Sequence, residues 1–222
     1  MRRAALTIVI ALALASSTHA APSPSRDAAR GEATLRRAAA CLFERDQAKI
    51  VNLMISWPGS QLEQNTIEAM NRRLAICMPF GSRLLFAGTL LRGVLAEQAL
   101  LRQFAAPAPL PALPVGWARE PLGNSIAPPL GALHAFGRCV VLAAPERADA
   151  LARTARGSAE EGAAIEALGP ALPGCVDVRQ RFTLDRSGLR GLLAEALLAA
   201  LNRDAGAPIP RTLHAIYWPP RN

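Results

Sequence analysis

The strongest constraint on this chain is that one stretch of its sequence occurs twice, without a gap, at a spacing of 98 residues. Placing residues 41–105 on residues 139–203 leaves 18 of 65 positions identical. The recurring parts are a leading cysteine, a trailing cysteine and a heptapeptide: Cys41 and Cys139, Cys77 and Cys175, and residues 91–97 and 189–195. A match of this length at one offset indicates a tandem duplication, so we expect two halves of similar structure.

The four cysteines predict two disulfides, because the chain also carries an export signal (below) and cystines persist in oxidising compartments. Three pairings are possible. The duplication selects Cys41 with Cys77 and Cys139 with Cys175, because each half must once have been a self-sufficient unit. Each bridge would close a loop of about 36 residues and stabilise the fold by roughly 3 to 4 kcal/mol. The cysteines are therefore predicted to be structural and not nucleophilic.

The N-terminus has the pattern of a secretory signal. Arg2 and Arg3 precede an apolar run over residues 4–15, and small residues follow before Ala21. This order is typical of a signal peptide over residues 1–20, cleaved after Ala20. The alternative is an uncleaved anchor, but the run is short for a bilayer span. We expect a periplasmic or secreted protein without a transmembrane segment after cleavage.

The chain is basic, with 25 Lys and Arg against 17 Asp and Glu and a formal net charge of +8. All of these cations except Lys49 are arginines, which a GC-rich genome also produces, so composition says little about a ligand. The charge permits attraction to anionic envelope polymers or lipid headgroups. Clustered arginines interleaved with aromatic residues are missing from the sequence, so no nucleic-acid partner is expected.

Each half is predicted to contain three helices, which makes the protein mainly α. Ser60 with Glu63, and Ser158 with Glu161, form the capping-box pattern that begins a helix. The first helix is predicted over roughly 35–55 in the first half and 145–155 in the second. The second helix runs to the trailing cysteine and is shortened in the second half by Pro170 and Pro173. The third helix is predicted over roughly 89–104 and 187–202. Asp177 and Asp185 are predicted turn and cap residues.

Seven prolines between residues 105 and 137 predict an extended, polyproline-like connector that excludes helix. Its Trp117, together with Tyr217 and Trp218 of the tail, is predicted to offer contact surface to a partner. The expected organisation starts with a signal peptide (1–20), a disordered N-terminus (21–34) and a helical repeat (35–105). The connector (106–137), a second helical repeat (138–205) and a tail rich in proline and aromatic residues (206–222) follow.

The third helix of each half carries a glutamate inside its apolar stripe. A helical wheel places Gly93 and Glu97 on the apolar side and directs Arg92 well away from it. Glycine costs about 1 kcal/mol in a helix interior relative to alanine, so Gly93 and its counterpart Gly191 predict a close crossing by another helix. A carboxylate beside such a crossing is costly to bury unless it is paired.

Three interpretations compete for Glu97 and Glu195. The favoured one is a structural ion pair, because buried charges are normally paired. The second is an acid and base pair for glycoside hydrolysis. The third is a metal site completed by His134 and His214. Candidate partners for the ion pairs are arginines of the same or the opposite half: Arg83, Arg181, Arg92 and Arg190. Motifs for serine hydrolases, zinc proteases, P-loops, redox dithiols and dinucleotides do not occur in the sequence, so no cofactor or metal is predicted.

The paired order of Cys, Gly-Ser-x-x-Glu, Cys and Leu-Arg-Gly-x-Leu-Ala-Glu resembles small exported proteins of GC-rich alphaproteobacteria to which no function is assigned. The resemblance covers most of the mature chain. The second half is nearer to the pattern than the first, which departs from it at Trp57-Pro58 and Met78-Pro79. The resemblance implies an envelope location and no activity.

Together these features predict a periplasmic helical protein that binds an envelope protein or polymer and lacks catalytic activity. The expected binding site is a groove between the two halves. The alternative is an envelope glycan hydrolase in which Glu97 and Glu195 act as paired carboxylates.

Overall fold

The computed structural model describes residues 26–56, 58–78, 88–119, 128–176 and 183–203. These residues form a mainly helical protein with two disulfides, and none of them lies in a strand. The α-helices in these ranges are α1 Arg26–Arg45, α2 Gln47–Ile55, α3 Gln61–Cys77, α4 Gly88–Gln103, α5 Pro128–Ala143, α6 Pro145–Arg153, α7 Ala159–Leu168 and α8 Arg186–Leu201. Single 3-10 turns occupy Trp117–Arg119, Gly169–Ala171 and Pro173–Cys175. None of the helices in the described ranges is long and apolar enough to cross a membrane.

Within the described residues each half contains four α-helices, not the three that were predicted. The predicted first helix is broken at Asp46 in the first half, and α5 ends before Ala144 in the second half. Both residues have the same non-helical backbone, with φ and ψ of −146° and 50° at Asp46 and −149° and 62° at Ala144. Ala144 precedes Pro145, which disfavours helical backbone at the residue before it. We refer below to α1–α4 as the first half and to α5–α8 as the second half.

Two helices begin earlier than predicted. Helix α1 begins at Arg26, inside the segment 21–34 that was predicted to be disordered. Its Leu35, Ala38 and Leu42 are buried at helical spacing, so α1 has an apolar face to pack. Helix α5 begins at Pro128, inside the segment predicted to be an extended connector. Proline is tolerated in the first turn of a helix because the N–H groups there have no intrahelical acceptor.

Both predicted capping boxes are present. Ser60 Oγ accepts the Glu63 N–H at 3.2 Å, and Ser158 Oγ accepts the Glu161 N–H at 3.2 Å. The glutamates reach back one residue further than in the standard motif, to the N–H groups of Gly59 and Gly157. These glycines have φ of +78° and +74°, a left-handed conformation that side chains disfavour. The second half has one more cap, because Asp185 Oδ1 accepts the Gly188 N–H at 2.6 Å and begins α8 as predicted.

The predicted disulfides are confirmed as Cys41–Cys77 and Cys139–Cys175, with Cα–Cα distances of 5.7 and 5.5 Å. The first joins α1 to the end of α3. The second joins α5 to the 3-10 turn that continues α7, because α7 itself ends at Leu168. Each bridge therefore ties the first helix of its half to the end of the third helix or to the 3-10 turns that follow it.

Helices α4 and α8 pack against each other at the centre of the protein. A Cβ built on Gly93 would lie 2.8 Å from Gly191 Cα, and one built on Gly191 would lie 2.8 Å from Gly93 Cα. The helix that crosses each glycine is thus its counterpart in the other half. The residues that surround the crossing are almost all buried and apolar: Leu91, Val94, Leu95, Ala96, Leu189, Leu192, Leu193 and Ala194.

Candidate functional site

Arg92 lies in the protein interior and is only 2 % exposed, although the helical wheel directed it away from the apolar stripe. The last turn of α2 and Ser56, which follows it, cover this side of α4 with carbonyl groups. Arg92 donates to Leu53 O at 2.6 Å and to Ser56 O at 3.0 Å. It also pairs with Glu63 Oε1 at 3.1 Å and with Glu195 Oε1 at 2.7 Å. The wheel was wrong about Arg92 because backbone acceptors at the C-terminal end of α2 satisfy the guanidinium donors.

Arg190 has the same surroundings in the second half and is also 2 % exposed. It donates to Ala152 O at 2.9 Å and to Thr154 O at 2.5 Å. It pairs with Glu161 Oε1 at 3.2 Å and with Glu97 Oε1 at 3.1 Å. Both capping-box glutamates therefore serve a helix start and a buried arginine at once.

The ion pairs cross between the halves. Arg92 of α4 contacts Glu195 of α8, and Arg190 of α8 contacts Glu97 of α4. Buried charges cost several kcal/mol each unless they are paired and hydrogen-bonded. Removing one partner therefore leaves the other charge buried and unpaired. Two other candidate partners, Arg83 and Arg181, lie outside the described residues, and the structure does not bear on them.

Glu97 and Glu195 differ in the group that their second carboxylate oxygen, Oε2, contacts. Glu97 Oε2 accepts a bond from Arg156, which also pairs with Glu32 of α1. The first-half counterpart of Arg156 is Pro58, so this contact exists only once. Glu195 Oε2 instead lies 3.8 Å from His134 Nδ1. The exposed fraction of the side chain is 4 % for Glu97 and 15 % for Glu195.

The charges around Glu195 set its protonation. Burial alone would raise the pKa of this carboxyl group, but the Arg92 guanidinium and His134 outweigh it and hold the pKa below its usual value. Burial lowers the pKa of His134, and repulsion by Arg92 and Arg138 lowers it further. The attraction of Glu195 raises this pKa but does not outweigh the other effects. Around neutral pH the cluster thus holds an ionised glutamate beside an uncharged imidazole.

This chemistry does not suit a glycosidase. The general acid of such an enzyme needs a raised pKa and access to the substrate oxygen. Glu195 has a lowered pKa and is enclosed by Arg92, while Glu97 is enclosed by Arg190 and Arg156. Within the described part of the chain no three His, Cys, Asp or Glu side chains converge to hold a metal ion, and His214 lies outside it.

Trp117 was predicted to offer contact surface, but it is only 1 % exposed. The Arg138 guanidinium of α5 lies over its ring, 5.3 Å from the ring centroid. Arg138 Nη1 also donates to Trp117 O at 3.3 Å. The prediction was wrong because the indole is packed under the second half, where no partner can reach it. Tyr217 and Trp218 lie outside the described residues.

The predicted groove between the halves is not present at the α4–α8 crossing, where the two backbones are in contact. A cavity of about 440 Å³ lies instead on the outside of the first half, between α2 and α3. Its lining is mostly cationic: Lys49, Ala69, Arg72, Arg73 and Ile76. Sequence reasoning missed this groove. The signal that could have found it is the adjacent arginine pair at positions 72 and 73, which the second half replaces with Pro170 and Ala171.

No family model matches this chain. Neither a curated protein nor a solved structure is detectably similar to it. What the arrangement can do follows from its side chains. The buried Arg and Glu groups are engaged with one another, and the groove presents cations to solvent.

Proposed function

We propose that this protein is an exported, non-catalytic helical binding protein of the cell envelope. The observation that carries the proposal is the crossed pairing of Arg92 with Glu195 and of Arg190 with Glu97. A catalytic carboxylate must reach its substrate, whereas these two are enclosed by guanidinium groups that bind them in the resting fold. Their role is to join the two halves, which leaves binding at the surface as the activity of the protein.

The fold also supports an origin by tandem duplication, here of a four-helix, disulfide-closed unit. Helices α2 and α6, and α4 and α8, have bounds that differ by the same 98 residues as the cysteines. The crossed ion pairs are those of an isologous interface, in which each side presents the same arginine and glutamate to the other. An ancestral unit of this kind would have paired with a second copy of itself before the fusion.

The envelope location rests on the N-terminal pattern and on the cystines. Two disulfides, one within each half, are compatible with an oxidising compartment. An envelope protein or an anionic envelope polymer is the proposed class of partner, in keeping with the excess of 23 basic over 17 acidic side chains that remains once residues 1–20 are removed. Cell fractionation, with alkylation of free thiols before gel analysis, tests both points. We expect the protein outside the cytoplasm with all four thiols oxidised.

The alternative, an envelope glycan hydrolase using Glu97 and Glu195, receives no support from the geometry. Incubating the purified protein with envelope glycan and measuring released reducing ends separates the two functions. We expect no turnover. Turnover that is lost in Glu195→Gln but kept in Glu166→Gln, a control on the exposed side of α7, would overturn the proposed function.

A further inference from the structure

We propose that the groove between α2 and α3 binds a phosphate monoester carried on an apolar body. We call it the cationic groove, defined by Lys49, Ala69, Arg72, Arg73 and Ile76. The inference rests on the proposed function, since it names the site and the ligand class of a binding protein. Its volume of about 440 Å³ lies within the range of sites for small molecules.

The charges of the cationic groove are not balanced internally. Asp46 lies beside it, with Oδ2 at 2.5 Å from Lys49 Nζ and 3.9 Å from Arg73 Nε. One carboxylate thus serves two cations. Arg72 is exposed and, within the described ranges, takes part in no ion pair or hydrogen bond. Three cations against one anion leave a net charge of about +2, which matches the −1.5 to −2 of a phosphate monoester near pH 7.

The second half shows that the fold does not need these cations. The counterparts of Arg72, Arg73 and Ile76 are Pro170, Ala171 and Gly174, and the counterpart of Asp46 is Ala144. There α7 ends at Leu168 and continues as 3-10 turns, yet the disulfide closes in the same way. The counterpart of Lys49 is Arg147, whose Nη1 is engaged with Ala167 O at 3.0 Å. The second half folds without these cations, so the need to fold does not explain why the first half has them.

The apolar part of the ligand is inferred from the outer face of α3. Leu62, Ala69 and Ile76 follow each other at intervals of seven residues and therefore share one face of the helix. Leu62 is 51 % exposed and Ile76 is 62 % exposed. Ile76 follows Arg72 by four residues and Arg73 by three, so Ile76 and Ala69 place apolar surface beside the guanidinium groups, and Leu62 extends the strip along α3. A ligand that is anionic at one end and apolar at the other would satisfy both.

Arginine suits this role because its planar guanidinium donates two parallel bonds to phosphate oxygens. Arg72, free of a carboxylate partner in the described residues, is the group expected to contribute most. Lys49 supplies a compact charge and stays near the phosphate through Asp46. Binding should therefore weaken as salt screens the exposed part of the attraction.

The test is a calorimetric titration of the oxidised, full mature protein with phenyl phosphate and with inorganic phosphate. We expect phenyl phosphate to bind more tightly than inorganic phosphate. Arg72→Ala should raise the Kd for phenyl phosphate at least tenfold, whereas Arg186→Ala, an exposed arginine at the start of α8, should leave it within twofold. Ile76→Ser should weaken the binding of phenyl phosphate and leave the binding of inorganic phosphate unchanged. Both Arg72 and Ile76 are exposed, so the melting temperature should not move.

The source of the phosphate is decided by flotation with phosphatidylcholine vesicles that contain phosphatidic acid. Flotation that Arg72→Ala abolishes assigns a lipid phosphate, and calorimetric binding without flotation assigns a soluble phosphoester. No binding of phenyl phosphate at millimolar concentration, or equal loss in Arg72→Ala and Arg186→Ala, would overturn the inference. Such a failure leaves the proposed function standing, because that function fails through glycan turnover that depends on Glu195 or through a reduced protein found in the cytoplasm.

Discussion

Gly93 and Gly191 meet backbone to backbone where α4 crosses α8, and a Cβ on either would lie 2.8 Å from the Cα of the other. This contact brings the crossed arginine and glutamate pairs within reach of each other, because a wider crossing would separate Arg92 from Glu195. The two halves are therefore held by a steric fit and an electrostatic one at the same place.

Gly93→Ala is expected to destabilise the protein, although alanine is the better helix former by about 1 kcal/mol. The added methyl group would push two backbones apart and loosen the ion pairs, at a cost on the order of 1 to 3 kcal/mol. Gly162→Ala in α7 is the matched control, since a Cβ there meets nothing within 4 Å. Thermal unfolding should show a lower melting temperature for Gly93→Ala and an unchanged or higher one for Gly162→Ala. Equal effects would argue against the close crossing.

Arg92→Met is expected to cost roughly 3 to 5 kcal/mol, because it leaves Glu63 and Glu195 buried without their cation. Adding Glu195→Gln to Arg92→Met should recover part of this loss. Urea denaturation of the four variants of this double-mutant cycle measures the coupling between the two residues, which we expect to lie between about 0.5 and 3 kcal/mol. Strictly additive effects would contradict the pairing across the halves.

Stability is expected to fall as the pH drops below about 6.5, the ordinary pKa of histidine. The pKa of His134 is lowered in the fold by burial, so the unfolded chain binds a proton that the folded one does not. Unfolding is favoured through that window as pH falls. The lowered pKa of Glu195 acts in the same direction at lower pH: its stabilisation is present above the ordinary carboxyl pKa and is lost as pH falls through the folded value.

Melting temperatures of the native protein and of His134→Gln between pH 8 and pH 5 test this dependence. The charged groups that face His134 are Glu195, Arg92, Arg138 and Glu63. The native protein should lose more stability than His134→Gln does. Parallel curves for the two proteins would show that His134 does not titrate as expected.

Replacing either cystine with two serines is expected to cost about 3 to 4 kcal/mol, and the two replacements should cost similar amounts. The reason is that both bridges span 36 residues, so they restrict the unfolded chain equally. Each double variant is the control for the other in guanidinium denaturation. A much larger loss for Cys139 and Cys175 would mean that the shortened α7 depends on its bridge in a way that α3 does not.

The sequence by itself determined the features that are local or covalent. Ser60 with Glu63 begins α3, Gly93 marks a close crossing, and the spacing of the cysteines predicts both bridges. Each of these depends on residues within one helix turn or on a pattern that recurs along the chain. A repeat can therefore be detected, and its capping and cystine framework predicted, before any tertiary contact is known.

Only the tertiary structure decided which side chains meet across the chain. Arg92 is buried because carbonyl groups at the end of α2, almost forty residues earlier, reach it, and Trp117 is buried because α5 packs over it. A helical wheel describes the surface of one helix and contains no information about what covers that surface. For the same reason the cationic groove escaped prediction: Lys49 and Arg72 become neighbours only when α2 packs on α3.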